Sequence, residues 1–88
     1  MRGSIVLDNL AGRALRRTGG DVSARDVLDC SGGFGAGDTV YITFRAVDGG
    51  QYLIATGLVA CAESVLRQML GTSSAAVIVR AQDVKLVW

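Results

Sequence analysis

The chain has 88 residues, half of them hydrophobic and 19% charged, with a net charge of +1. That length makes one small domain with a thin core, too apolar for a disordered tail, yet no run nears the roughly 18 consecutive apolar residues of a membrane helix. The near-neutral charge gives no global attraction to nucleic acid or membrane, and the absence of histidine removes the commonest acid–base group and metal ligand.

Residues 1–3 read as a vector-derived or linker start, and the domain is expected to span 4–88. No signal peptide is visible, because residues 1–4 lead into a strand-like stretch rather than an apolar segment. Ile5-Val6-Leu7 predicts a short buried strand. Asp8 offers a carboxylate to the first free amides of a helix. Leu10, Ala11, Ala14 and Leu15 follow as an apolar stripe at helical period. Arg13, Arg16 and Arg17 fall on the polar side, in the last turn, where cations suit the helix dipole. Gly19 supplies the left-handed stop.

Ser23 with Asp26 three residues later is a capping-box spacing, and predicts one or two helical turns through Val27 and Leu28. A glycine-rich loop over 32–37 ends at Asp38. Thr39–Arg45 then alternates strictly, with Val40, Ile42 and Phe44 to one face, as a half-buried strand does. Asp48-Gly49-Gly50 makes a tight hairpin turn, and 51–55 returns as the partner strand. Phe44 and Tyr52 fit core positions in this alternation. Ala62, Val65, Leu66, Met69 and Leu70 form a second helical stripe, stopped by Gly71. Glu63 lies near that helix start and four residues before Arg67, which suits both dipole and ion pair. Residues 76–80 and 84–88 are two further strands, joined by a turn at 81–83. The expected core is Leu10, Leu15, Phe34, Val40, Ile42, Ile54, Leu66 and Met69. Short, mostly antiparallel strands flanked by glycine predict a small closed or half-closed barrel, with the first helix packed over one end.

Little in the sequence carries chemistry. The segment Gly32-Gly33-Phe34-Gly35-Ala36-Gly37-Asp38 lacks a lysine, fails the G-x-G-x-x-G spacing and enters a strand, whereas a phosphate cradle needs a following helix. It reads as a structural turn with Phe34 plugging the barrel. Cys30 and Cys61 make no CxxC pair and no zinc site. They read as two half-buried thiols of a cytosolic protein, with a single disulfide as the arithmetical alternative. The carboxylates are scattered over caps and turns, and no nucleophile has a base beside it. No catalysis, cofactor or metal is expected of this chain. Arg13, Arg16 and Arg17, joined by Arg25, are candidate phosphate contacts. Their plain alternative is a solvated helix face.

The order of segments is informative. Gly3-Ser4-Ile5-Val6-Leu7-Asp8 is followed by Arg13-Ala14-Leu15 and a glycine pair. Gly33-Phe34-Gly35-Ala36-Gly37-Asp38-Thr39-Val40 comes next, then Ile54-Ala55-Thr56-Gly57-Leu58. This succession resembles a PUA domain, a small β-pseudobarrel found in pseudouridine synthases, archaeosine transglycosylases and other RNA-handling proteins. It most resembles the version at the C-terminus of bacterial-type glutamate 5-kinases. There a G-x-F-x-x-G-D-x-V segment enters a strand, and an Ile-Ala-x-Gly-Leu strand precedes a short helix, which 61–70 resembles here. The resemblance runs through the closing strands at 77–84 and so covers essentially the whole chain from Gly3.

The resemblance implies an α+β, mainly β fold, a PUA-like pseudobarrel of about five to six short strands with two to three short helices. It implies a non-catalytic, cytoplasmic module of a glutamate-5-kinase-like protein of proline biosynthesis, with weak RNA binding. The parent chain's kinase domain would be its other partner, and no membrane or metal is involved. A free-standing RNA-binding protein of RNA modification or translation, and a structural or oligomerisation domain, are the alternatives. Family members that bind RNA use a groove formed by the first helix, the segment after it and the last strand. By position, Arg13, Arg16, Arg17, Arg25 and Arg80 are expected to face it. One departure stands out. Asp26 occupies a position where the family usually carries glycine, and a carboxylate there repels phosphate.

Overall fold

The computed structural model describes residues 3–72 and 74–87. Met1 and Arg2 of the expected leading segment, and Trp88 of the expected last strand, lie outside them. Strand β1 (Ser4–Leu7) leads into helix α1 (Asn9–Thr18) and the two-residue strand β2 (Val22–Ser23). A single 3-10 turn at Ala24–Asp26 enters β3 (Val27–Ser31). Then come β4 (Thr39–Arg45), β5 (Gln51–Leu58), α2 (Glu63–Met69) and β6 (Val77–Val79). A second 3-10 turn at Ala81–Asp83 precedes β7 (Val84–Leu86).

Among the described residues, five strands form one sheet in the order β3-β1-β4-β5-β7, and β2 pairs with β6 in a second. Only β1 and β4 run parallel; the other neighbours are antiparallel. A parallel pair needs a long crossover, and residues 8–38 with α1 supply it. The two sheets enclose a core of Ile5, Leu7, Ile42, Ile54, Leu66 and Ile78, with β4 at its centre. This is the expected α+β pseudobarrel.

The alternation over Thr39–Arg45 is as read, with Val40, Ile42 and Phe44 buried. Its partner β5 departs from alternation. The register slips between Ile42 and Thr43, and the successive residues Ile54 and Ala55 both turn inward. Such a bulge lets two residues oppose one and bends the strand around the core.

Helix α1 starts and stops where its sequence dictates. The Asp8 carboxylate accepts from the Ala11 amide at 2.7 Å, and the Gly19 amide, at φ 71°, closes on the Leu15 carbonyl. Its phase differs from the expected stripe. Gly12 and Leu15 are buried, whereas Leu10 is 77% exposed and Ala14 is exposed. The cause is close approach at Gly12, where a Cβ would sit 2.3 Å from the Phe44 Cβ. The absent side chain becomes the contact point, and this turns Leu10 out of the core.

Three further expectations are corrected. Tyr52 is 44% exposed rather than core. It lies at the hairpin end of the sheet, its ring 5.8 Å from that of Phe44 and its hydroxyl donating to Asp48 at 3.0 Å. Met69 is only half-buried against the core. The Ser23–Asp26 capping box does not form. Ser23 caps nothing and pairs with Val77 in the second sheet, and the next two amides, of Ala24 and Arg25, donate to the carbonyls of Ala76 and Ser74, at 2.9 and 2.8 Å. With those donors satisfied, the turn stops and Val27 pairs with Leu7.

Helix α2 covers the open edge of β3, the usual protection against edge pairing. Glu63 accepts from the Gly33 amide at 2.6 Å and from Arg67 Nε at 2.7 Å, and Arg67 Nη2 donates to the Cys30 carbonyl at 2.5 Å. The glycine loop, α2 and β3 are thus tied by one ion pair. Phe34 is buried beneath the loop, and its carbonyl accepts from the Glu63 amide at 3.0 Å. Arg67 and the Gly33 amide hold the Glu63 carboxyl below its ordinary value. A carboxyl so lowered stabilises the fold above about pH 4.3 and loses that contribution as pH falls through its folded value. Glu63→Gln is therefore expected to melt at a lower temperature than the wild type at pH 7. The gap should narrow as pH falls below about 4.3 and vanish below the lowered folded-state value. A gap independent of pH would show that the clamp does not act through charge.

Both cysteines are free, Cys30 buried and Cys61 half-buried. Burial raises both thiols above their ordinary value, which keeps them protonated and unreactive.

Candidate nucleic-acid interface

The spacing i, i+3, i+4 puts Arg13, Arg16 and Arg17 on one side of α1. All three are exposed, and together they line a shallow cavity of about 200 Å³. The macrodipole's negative end lies in the last turn, which carries Arg16 and Arg17, so those two cations belong there electrostatically.

A second depression runs beside them. It is a groove of about 270 Å³ between α1 and the segment that follows, walled by Leu10, Ala14, Leu15 and Val22 and edged by Asp21 and Asp26. No arginine lines it. Arg80 lies in a third depression, of about 500 Å³, with Asp21, Val77 and Gln82. Asp21 borders both of these hollows, and its Oδ1 accepts from the Ala81 amide at 2.7 Å. That bond holds the end of α1 to the second 3-10 turn. Arg25 is exposed on the first 3-10 turn and lines none of these three hollows.

The five arginines expected around one groove are thus distributed over the surface. Three share a cavity on α1, Arg80 shares a hollow with Asp21 rather than with them, and Arg25 stands apart. Sequence reasoning also missed a polar depression of about 390 Å³ that includes Thr39, Thr56, Gln82, Asp83 and Lys85. Its members come from four elements, in three stretches far apart in the chain, and no local spacing marks them. Among the described residues no three His, Cys, Asp or Glu side chains gather as a metal site requires, and no helix is long and apolar enough to cross a membrane.

A mixed five-stranded sheet closed by a two-stranded one, with a basic helix beside an open groove, defines a small β-pseudobarrel. The sequence matches the PUA domain over residues 3–80, and the chain belongs to that family, which is associated with RNA binding. Its fold is similar to the crystal structure of a PUA domain from Aeropyrum pernix K1, solved as a tartrate complex, with a TM-score of 0.78 at 20% identity. The match covers 94% of this chain and 50% of that one, so the present chain spans half the length of that structure. At this identity the likeness shows the fold alone. A search of curated proteins found no match.

Proposed function

We propose that this chain is a non-catalytic PUA module that holds RNA weakly through the arginine side of α1. The observation that carries the reading is the convergence of Arg13, Arg16 and Arg17 on a single cavity. Three guanidinium groups are forked donors suited to phosphate oxygens. Weak binding follows from the charge balance. The net charge is only +1, and Asp21 and Asp26 lie beside the same helix. Affinity is expected to be no tighter than the roughly 10⁻⁴–10⁻⁶ M of non-specific sites. Three phosphate contacts on a single strand give a log–log salt slope of about −2.

Titration of a fluorescent RNA at two salt concentrations tests this. The double variant Arg13→Glu, Arg17→Glu should lose binding while keeping its circular dichroism spectrum. Tight, salt-insensitive binding, or binding indifferent to both substitutions, removes the proposal.

The glycine-loop segment ending Gly37-Asp38-Thr39-Val40, with Ile54-Ala55-Thr56-Gly57-Leu58, supports an origin in a cytoplasmic glutamate-5-kinase-like protein of proline biosynthesis. The kinase domain would then be an intramolecular partner. The parent reading frame should encode about 250 further residues upstream, within ordinary domain size. A frame lacking such a domain rejects this origin and leaves the RNA reading untouched.

A further inference from the structure

We propose that the outer face of the five-stranded sheet docks a second copy of this chain, through Tyr41, Thr56 and Leu58 and the charged pair Asp83 and Lys85. Helix α1 packs through Gly12 on the inward-facing Phe44, so it lies on the other side of the sheet and its arginines take no part. Two rows of side chains cross the outer face. Strand register aligns Tyr41 on β4 with Thr56 on β5 and Lys85 on β7. In the next outward row Thr39 aligns with Leu58, and the β5–β7 register carried one residue further sets Asp83 beside Leu58. The residues between the rows, Val40, Gly57 and Val84, face the core, so by strand alternation both rows point outward. Thr39, Thr56, Leu58, Asp83 and Lys85 all line the polar depression of about 390 Å³, and Tyr41 stands exposed next to it.

The composition of this face is that of an interface. Of the outward residues on β1, β4 and β5, only Arg45, at the hairpin end, is charged. A centre depleted in charge that exposes a tyrosine and a leucine distinguishes docking surfaces from the rest of a protein's exterior. At the β7 rim, Asp83 and Lys85 share the hollow, yet neither forms an ion pair with the other or with another described residue. Opposite charges left unpaired in one chain complement those of its own copy. A two-fold axis running across the strands, between the two rows, turns each row onto the other in the partner. Lys85 then faces the partner's Asp83, Tyr41 the partner's Thr39, and Thr56 the partner's Leu58, each contact occurring twice. Such reciprocity is what an isologous interface requires. An axis along either row would oppose like charges, which fixes its position between them. The strands of the two copies lie aligned, one of the two ways in which sheets pack face to face.

The size of the face sets the strength. The molecule measures 28 × 24 Å along its two longer axes, so one face supplies no more than about the 800 Å² per partner of a standard interface. The dimer is therefore transient, with a Kd of about 1 μM or weaker. Sedimentation velocity on the full chain, from about 10 μM to about 1 mM, spans that range. The wild type should pass from one copy toward two as concentration rises. Asp83→Lys and Lys85→Asp should each weaken the dimer about tenfold, because two attractions become two repulsions. An equimolar mixture of the two variants should regain association as a heterodimer, since every facing pair is again opposite in sign. Tyr41→Ala should weaken the dimer about thirtyfold, the scale of an aromatic anchor, with the circular dichroism spectrum unchanged.

A wild type that stays monomeric over the whole range overturns the assignment. So does a dimer that neither charge reversal weakens, since another surface then holds it. Reversals that weaken the dimer without rescue in the mixture also overturn it, because Asp83 and Lys85 would then not face each other across the two-fold axis.

Discussion

Replacing Ile42 with alanine should cost stability toward the upper part of the about 2–5 kcal/mol range for buried aliphatic truncation. Ile42 is fully buried on the central strand, paired with Ile5 on one side and Ala55 on the other. Its Cδ1 lies 3.3 Å from where a Cβ on Gly57 would be. Gly57 has no side chain to move into the hole, and Val79, whose Cγ1 lies 2.8 Å from that same point, is fully buried and fixed by its strand pairing with Val22. Where relaxation is blocked, the cavity cost adds fully to the lost transfer energy. At roughly 0.05–0.15 kcal/mol per residue, 88 residues give a total stability of about 4–13 kcal/mol. The variant is thus expected to lose a third or more of it. Urea unfolding with unchanged slope should show a large fall in midpoint. A loss under about 0.5 kcal/mol, a surface-site value, would put Ile42 outside the core.

Substitution at Gly12 should reverse the ordinary sign of a helix mutation. Glycine to alanine inside a helix normally stabilises by about 0.5–1 kcal/mol. Here the new Cβ would lie 2.3 Å from the Phe44 Cβ and 2.5 Å from its Cγ. A Cβ is fixed to its backbone and cannot rotate away, so α1 must lift from β4. Overpacking of this kind costs about 1–3 kcal/mol and occasionally more, which exceeds the propensity gain. Gly12→Ala should therefore lower the melting temperature, and Gly12→Leu should lower it further. The α1 groove and the arginine cavity ride on the same helix, so RNA affinity should fall with it. A rise in stability with alanine would mean that α1 sits farther from the sheet than its contact with Phe44 implies.

Much of this protein was written locally in its sequence. The strict alternation of Thr39–Arg45 fits only one period, and it named the inward face of β4 correctly. Asp8 and Gly19 bounded α1 because a cap and a left-handed stop act within one turn. The spacing of Arg13, Arg16 and Arg17 placed them on one side for the same reason. The succession of glycine-centred segments then pointed to the family over nearly the full length.

Tertiary structure decided the remainder through contacts between residues distant in sequence. Helical period alone cannot tell which side of α1 meets the sheet; the fit of Gly12 against Phe44, 32 positions on, turned Leu10 outward and made it the groove rim. The capping box failed because Ser23 is held in a strand paired with Val77, and the amides that follow it, of Ala24 and Arg25, reach carbonyls at Ala76 and Ser74. Strand β3 escaped the period-two reading because it buries Val27 and Cys30, separated by two exposed residues. The separation of the arginines from the groove was likewise beyond local reading. Asp21 reaches Ala81 across 60 positions, and that bond sets Arg80 beyond the carboxylates rather than among the helix arginines. Short-range periodicity specified elements and faces, while the close approach of backbones and the capture of free amides specified which faces met.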